Sequence, residues 1–285
     1  MRRMSEKISR RKALQWLAGG LVSTLCVASG LDATLLEPYQ VEIVPQPLAL
    51  PQECCGWRGK RLAHISDLHF GGYYTLEQAQ VVLNRMRDLN PDVVMMTGDY
   101  LTRGGNIAQA LSDLHEFLPE LAKTFPVYAV RGNHDYGPER QRLLDIFRQS
   151  GVHLLDNQWE TFSLGGEELI IAGSGSLLAH WSGVRELAEA IPADKPAILL
   201  IHEPDGADYS AYLGRFFLQL SGHSHGGQVR LPLLGALFLP ELGRRYPLGL
   251  YRVGEMWLYT NRGLGTTTLP VRFRCLPEIT LFELT

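Results

Sequence analysis

From Lys60 to the C-terminus, short apolar runs alternate with stretches in which apolar residues recur every three or four positions. The first pattern predicts strands and the second amphipathic helices. Strands are expected at Arg61–Ser66, Val93–Thr97, Val127–Val130, Ala197–Ile201 and Phe217–Leu220. Between them, Thr75 opens a helix that stops near Asn90-Pro91, and Ile107, Leu111, Leu114 and Leu118 mark a second that ends near Pro119. A third runs over about residues 139–150. Thr161–Leu164, Gly165-Gly166 and Glu168–Ala172 read as a hairpin, and the last quarter reads as strands and loops punctuated by Gly and Pro. This mixture predicts two sheets packed face to face with helices outside. There is no internal repeat and no low-complexity tract.

The pattern changes ahead of Lys60. Residues 32–59, with Pro38, Pro45, Pro47 and Pro51, read as a linker or a wrapping strand. Residues 1–31 have the layout of an address: Ser9-Arg10-Arg11-Lys12-Ala13-Leu14 precedes an apolar, Gly/Ala-rich run from Trp16 to about Leu31. This resembles a twin-arginine export signal, although Ala13 stands where Phe is usual. The run falls short of the ~20 residues that comfortably span a bilayer, and Ser23, Thr24 and Ser29 interrupt it. Cleavage near Ala28-Ser29-Gly30 and retention as an anchor both stay open, while Leu25 before Cys26 argues against a lipoprotein signal. The expected organisation is a signal or anchor over 1–31, a linker over 32–59 and one domain over 60–285.

Bulk composition refines the picture in two places. At 285 residues, 45% hydrophobic and 20% charged, the chain is an ordinary globular protein. Its charge is uneven: residues 1–12 carry six Lys/Arg against Glu6, a net of +5, so the overall −3 leaves −8 for the remainder. A body this acidic lacks the electrostatic footprint of a general nucleic-acid binder, and no nucleic-acid partner is expected. The four cysteines, Cys26, Cys54, Cys55 and Cys275, form neither a disulfide framework nor a Cys-x-x-Cys zinc knuckle.

The candidate chemistry sits where the expected strands end. Asp67-Leu68-His69, Gly98-Asp99, Gly132-Asn133-His134-Asp135, His202 and Gly222-His223-Ser224-His225 place metal-binding side chains at strand carboxyl ends, where open α/β sheets build their sites. A lone Asp-x-His is usually a turn feature. Jointly the segments offer oxygen and imidazole donors suited to two divalent transition ions held side by side, of manganese, iron or zinc. The most specific piece is Gly222-His223-Ser224-His225-Gly226-Gly227, because two histidines one residue apart on a glycine-flanked loop reach two different ions.

The set resembles the calcineurin-like metallophosphoesterases over roughly residues 60–285. The resemblance implies a four-layer α/β/β/α sandwich of two mixed sheets flanked by helices. It implies that Asp67, His69 and His225 hold one ion, that Asn133, His202 and His223 hold the other, and that Asp99 bridges both. It gives His134 either the protonation of the leaving oxygen or the stabilisation of the charge that develops there. Thr102 departs from the protein-phosphatase branch, which has at that position an aspartate that orients the catalytic histidine, so protein phosphatase activity is not expected. Asp135 stands beside His134 either as a substitute for that aspartate or as an ordinary turn residue. Arg103 is a candidate phosphate contact or a solvated loop residue.

The C-terminal segments Arg245-Tyr246, Gly249-Leu250-Tyr251, Tyr259 to Gly265 and Arg274 to Thr280 resemble a bacterial membrane-associated branch of the family. That branch includes hydrolases of UDP-2,3-diacylglucosamine, in lipid A synthesis, and phosphodiesterases with twin-arginine N-termini. The residues fit an amphiphilic phosphate ester. Residues 226–275 hold seven Arg, no Lys and only Glu241 and Glu255 as acids, around an apolar segment Leu231–Pro240. Arginine makes forked phosphate contacts, so Arg244 and Arg245 are candidate substrate residues. The apolar segment is either an acyl-chain or membrane contact or a core strand. The expectation is a hydrolase of phosphodiester or pyrophosphate bonds at the bacterial inner membrane, either anchored or exported through the twin-arginine machinery, with a lipid nucleotide as leading substrate. An exported phosphodiesterase acting on nucleotides or cell-wall polymers, and a membrane-tethered scaffold without activity, are the alternatives.

Overall fold

A computed structural model of the chain describes residues 29–51, 56–179 and 183–285, together with Trp16, Ser23, Thr24 and Val27. The twin-arginine reading at Arg10 and Arg11 lies outside the described residues. Among the described residues, no helix is long and apolar enough to cross a membrane.

Two six-stranded sheets form the centre. The first runs β1 (Glu42–Leu48), β14 (Glu278–Leu284), β2 (Arg61–Ile65), β3 (Val93–Met96), β4 (Val127–Ala129) and β5 (His153–Leu154), in that spatial order. The second runs β12 (Gly249–Val253), β13 (Met256–Thr260), β9 (Leu218–Ser221), β8 (Ala197–Leu200), β7 (Glu167–Gly173) and β6 (Gln158–Leu164). Both are mixed, since β14 lies antiparallel to β2 and β6 antiparallel to β7 while the central strands run parallel. A small antiparallel pair, β10 (Arg230–Leu231) and β11 (Gly235–Ala236), stands apart from both sheets.

The two-residue period of the strands divides their side chains between layers. Leu62, Val93 and Met95 face Leu169, Ile171, Ile198 and Leu200 of the opposite sheet and form the middle of the molecule. Their neighbours Ala63, Ile65, Val94 and Met96 face outward onto α1 (Leu76–Leu89), α2 (Ile107–Thr124) and α3 (Arg140–Ser150). On the other side, Ile170, Leu199 and Ile201 pack against Val184 and Leu187 of α4 (Gly183–Ala190), and Ala207 of α5 (Ala207–Tyr212) joins the same cluster. The order is helix, sheet, sheet, helix, the four layers expected.

Local signals explain the helix ends, with one correction. Thr75 and Gln78 form a reciprocal capping box at the start of α1, and Asn90 closes it in the left-handed conformation. The second helix does not end near Pro119 but continues to Thr124 with the proline inside it. A proline withholds one hydrogen bond from the carbonyl four residues earlier, here that of the exposed His115. Leu118 and Leu121, fully buried on either side of it, hold the helix through that position.

The segment 32–59 is more than a linker. Residues 42–48 pair in parallel with β14 as the edge of the first sheet, so the wrapping-strand alternative describes them. Leu48 and Trp57 are 1% and 2% exposed within the inter-sheet core, which places the start of the folded body ahead of Lys60.

Candidate metal centre

The carboxyl ends of β2, β3 and β4 in one sheet and of β8 and β9 in the other meet at one edge of the sandwich. Backbone hydrogen bonds stitch the loops that leave them: Asp67 N–H donates to Gly98 O at 2.9 Å, His69 N–H to Asp99 O at 3.0 Å and Gly222 N–H to His202 O at 3.0 Å. The aspartates also act as structural acceptors, Asp67 from the His223 amide at 3.0 Å and Asp99 from the His134 amide at 2.8 Å. Loop geometry and ligand geometry are therefore one construction.

Six of the seven candidate ligands meet at short distances, and the seventh, Asn133, lines the same cavity as Asp99 and His223. The Nε2 atoms of His69 and His225 are 3.1 Å apart, and His225 Nε2 lies 3.2 Å from Asp67 Oδ1. Asp99 Oδ2 lies 3.2 Å from His202 Nε2 and 3.6 Å from His69 Nε2, between the two groups. Ligand atoms of Asp67, His69 and His225, and separately of Asp99, His202 and His223, lie within 4.8 Å of one another. Donor atoms near 3 Å apart are what bonds of ~2.0–2.2 Å to a single divalent ion require. The buried Asn133 Oδ1 has no hydrogen-bond partner within the protein, a costly arrangement unless something else satisfies it. The residues fit a pair of divalent ions.

The histidines are oriented from behind. His202 Nδ1–H donates to Thr97 O at 2.6 Å, which leaves Nε2 for the centre, and His223 Nε2–H donates to Glu241 O at 2.7 Å, which leaves Nδ1. Burial pushes the His69 imidazole down to about 3, against the opposing pull of Asp99, so it stays neutral. Burial would raise the Asp99 carboxyl, yet His202, His134 and His69 together hold it well below the usual carboxylate range. Burial opposes a charge on His202 as well, but the Asp99 and Asp67 carboxylates beside it raise that imidazole well above its ordinary value, so carboxylates and imidazoles face one another at close range.

Backbone strain marks the same residues. Asp67, His69, Asp99, His223 and His225 all have φ between 50° and 70°, a left-handed conformation that side-chain-bearing residues rarely adopt. Each costs on the order of 1–3 kcal/mol, and such residues persist only where their surroundings over-determine them. Two glycines make the close approach possible: a Cβ at Gly132 would meet Asp99 Oδ1 at 2.2 Å, and one at Gly222 would meet Asp67 Oδ2 at 2.3 Å.

His134 stands at the edge of the cluster, with Nε2 4.0 Å from Asp99 Oδ2. Its Nδ1 accepts from the Arg103 backbone N–H at 3.1 Å, so the neutral ring carries its proton on Nε2, toward the centre. Asp135 takes no part in this: its carboxylate accepts from the amides of Tyr100, Leu101 and Gly132, the ordinary turn role. Thr102 is turned away as well and donates to His69 O at 2.7 Å.

A cavity of about 1090 Å³ opens beside Asp99, Asn133, His134 and His223 and continues between Tyr73, Leu237, Phe238 and Leu269. Arg103 lines it, with its guanidinium donating to Asn133 O at 2.7 Å. Arg244 and Arg245 do not line it, which corrects their expected role. Asp205 draws in both of their backbone amides at 2.9 and 3.1 Å, and the Arg245 guanidinium pairs with Asp208 at 2.5 Å over the Tyr246 ring. The core-strand reading of Leu231–Pro240 is also excluded in its middle, since Leu233, Leu234, Leu237 and Phe238 are exposed.

Two contributors escaped the sequence reading. The Arg103 amide is a backbone group and leaves no trace in residue type. Gln228, directly after the His223–Gly227 loop, spools one cavity wall: its Oε1 accepts from Thr267 N–H at 2.6 Å and its Nε2 faces the carbonyls of Thr267, Leu269 and Val271 at 3.3 to 3.4 Å. Its place in line with the histidine motif was the available signal.

Comparison with known proteins agrees with this geometry. Residues 60–227 match the family model described as calcineurin-like phosphoesterase. The chain is 33% identical to the uncharacterized metallophosphoesterase YkuE of Bacillus subtilis over 98% of each chain. It is 30% identical to the phosphodiesterase YaeI of Escherichia coli, covering 97% of this chain and 99% of that one. A third relative, the UDP-2,3-diacylglucosamine pyrophosphatase LpxG of Chlamydia muridarum, is 27% identical over 90% of this chain and 93% of its own.

Proposed function

Because the chain belongs to the calcineurin-like phosphoesterases, metal-dependent hydrolases of phosphoric esters, we propose that it cleaves the phosphodiester or pyrophosphate bond of an amphiphilic, lipid-linked substrate at a membrane. A lipid nucleotide such as UDP-2,3-diacylglucosamine is the leading candidate. The observation that carries this reading is the cavity, which begins at the His/Asp cluster and ends among Leu237, Phe238 and Leu269. A phosphate bound at the cluster would send its apolar substituent along that wall. The similarity to LpxG supports the same substrate class.

In this reading Asp67, His69 and His225 would hold one divalent ion and Asn133, His202 and His223 the other, with Asp99 shared. Such ions supply positive charge to the non-bridging phosphate oxygens and lower the pKa of water toward neutrality. The chain's own residues do the rest. Asp99 fixes the spacing of the two halves, His134 presents Nε2–H to the leaving oxygen, and the Arg103 amide holds that tautomer in place. Arg103 lines the cavity with its guanidinium anchored on Asn133 O, from where it would be available to a bound phosphate.

A second reading, an exported phosphodiesterase acting on nucleotides or cell-wall polymers, is favoured by the similarity to YaeI and by the twin-arginine-type N-terminus. Hydrolysis of a radiolabelled UDP-diacylglucosamine separates the two. Release of UMP supports the lipid nucleotide; turnover of a soluble aryl phosphodiester with no UMP release supports the second reading. The scaffold alternative is disfavoured by a complete ligand set with His134 in place.

A further inference from the structure

We propose that the rim of the active-site cavity is itself the surface that docks on a lipid bilayer, so that the mouth opens directly onto the membrane. This rests on the membrane association proposed above and goes further by fixing the face. Three apolar patches distant in sequence lie at one opening or directly beside it. The first is the β10–β11 hairpin and its outgoing stem, where Leu234 and Phe238 are 78% and 72% exposed. The second is Leu269, on the wall held by Gln228, which lines the cavity together with Tyr73. The third is the segment that joins the N-terminal apolar run to the body, where Leu35, Leu36 and Tyr39 are exposed.

The third patch is held at the rim by specific bonds. The Glu37 carboxylate accepts from the amides of Arg274 and Cys275 at 2.9 and 3.3 Å, and Ala33 O accepts from the Arg272 amide at 2.9 Å. These residues directly follow Val271, which lines the cavity. Tyr39 shares a small cleft with Tyr73 and Pro270, and Tyr73 in turn lines the main cavity with Leu237 and Phe238. Residues 33–39, which follow the apolar run in sequence, thus lie beside the mouth.

Charge and mechanical coupling point the same way. Of the seven arginines in 226–275, Arg272 is buried and Arg245, Arg252 and Arg262 are paired with carboxylates, which leaves Arg230, Arg244 and Arg274 without a salt bridge among the described residues to meet an anionic lipid surface. Apolar side chains flanked by arginines are the composition of an interfacial contact. The hairpin stem ends at Glu241, whose carbonyl accepts from His223 Nε2–H at 2.7 Å. The membrane-facing hairpin is therefore fixed in height above the catalytic cluster. A lipid headgroup would reach the centre without leaving the interface.

The test uses the full, metal-loaded chain on vesicles of phosphatidylethanolamine and phosphatidylglycerol doped with a lipid bearing a diazirine in its acyl chain. After photolysis, peptide mapping should place adducts on residues 231–239 and around Leu269 as well as on the N-terminal run, and none on the Gly165-Gly166 turn. Replacing Leu233→Ser and Leu234→Ser, neither of which lines the cavity, should cut hairpin adducts several-fold while turnover of a soluble aryl phosphodiester continues at the wild-type rate. Adducts confined to the N-terminal run overturn the docking face and leave membrane association standing. Failure of the chain to sediment with vesicles overturns membrane association itself, and the docking face with it.

Discussion

His69 and His225, from opposite halves of the chain, bring their Nε2 atoms to 3.1 Å of each other inside the protein. Two buried imidazole nitrogens meet at that distance when they share an ion or a proton. Asp67 Oδ1, 3.2 Å from His225 Nε2 and 3.9 Å from His69 Nε2, adds a third donor and favours the ion. Both residues adopt left-handed backbone conformations to make the meeting possible. Strain of that kind is maintained here by the loops' hydrogen bonds to Asp67 and Asp99.

His134 should act in the chemical step without holding the metal cluster together. His134→Ala is expected to retain its ions and lose roughly 10²–10⁴ in kcat, the scale of a positioned acid. Because the partner of His134 is the Arg103 backbone amide, Arg103→Ala should cost much less than Arg103→Pro, which removes that N–H. The turn tolerates proline there: Gly105 N–H donates to Thr102 O at 3.1 Å and Gly104 has φ +79°, the type II geometry that favours proline at its second residue. Steady-state kinetics with metal analysis checks the order, and equal rates for the two Arg103 variants would refute the backbone role.

Gly222 should be intolerant of a side chain. A Cβ there would lie 1.9 Å from Ser66 Oγ and 2.3 Å from Asp67 Oδ2, so neither neighbour can remain where it is. Gly222→Ala is expected to lose about 1–3 kcal/mol of stability as an overpacked site and to bind metal more weakly. Denaturant unfolding and metal titration measure the two effects. A variant with wild-type stability and metal content would show that the loops are looser than described.

Much of this architecture was legible in the sequence because its signals are local. Each of the five expected strands ends within three residues of a ligand, since apolar runs and the polar residues that close them are adjacent in the chain. The hairpin of β6 and β7 was visible in Gly165-Gly166, and Thr75 in its capping box. Non-local terms account for the misses. The pairing of β1 with β14 joins the two ends of the domain, and Pro119 stays helical only because Leu118 and Leu121 are buried. Arg244 and Arg245 look like free cations until Asp205 and Asp208 fold against them. The left-handed ligand positions left no readable mark, because Asp and His, although enriched there among non-glycine residues, still adopt negative φ at most of their positions.

The apolar wall should discriminate between substrates. A side chain such as Leu or Phe that becomes buried against an acyl chain contributes ~1.5–3 kcal/mol. Leu237→Ser with Phe238→Ser is therefore expected to depress kcat/KM for a long-chain lipid phosphate ester at least tenfold, and to affect a soluble aryl phosphodiester far less. Parallel kinetics on the two substrates decides it. Equal losses with metals retained would mean that the wall supports the fold and not the substrate.

The N-terminal address should depend on Arg10 and Arg11. Changing both to Lys preserves the charge but removes the paired guanidinium groups, so export through the twin-arginine route should stop. Protease accessibility of the domain from the outer side reads this directly. Accessibility unchanged by the substitution would contradict a twin-arginine signal.

The central claim, that this His/Asp cluster is a two-ion phosphoesterase centre bridged by Asp99, is tested most directly by metal content measured together with turnover of a soluble aryl phosphodiester. The wild type should carry two divalent ions per chain, lose activity on chelation and regain it with added manganese, whereas Asp99→Asn should fall well below two ions and show no turnover. An Asp99→Asn variant that still binds two ions tightly, or a wild type whose hydrolysis survives complete removal of its metal, would contradict it.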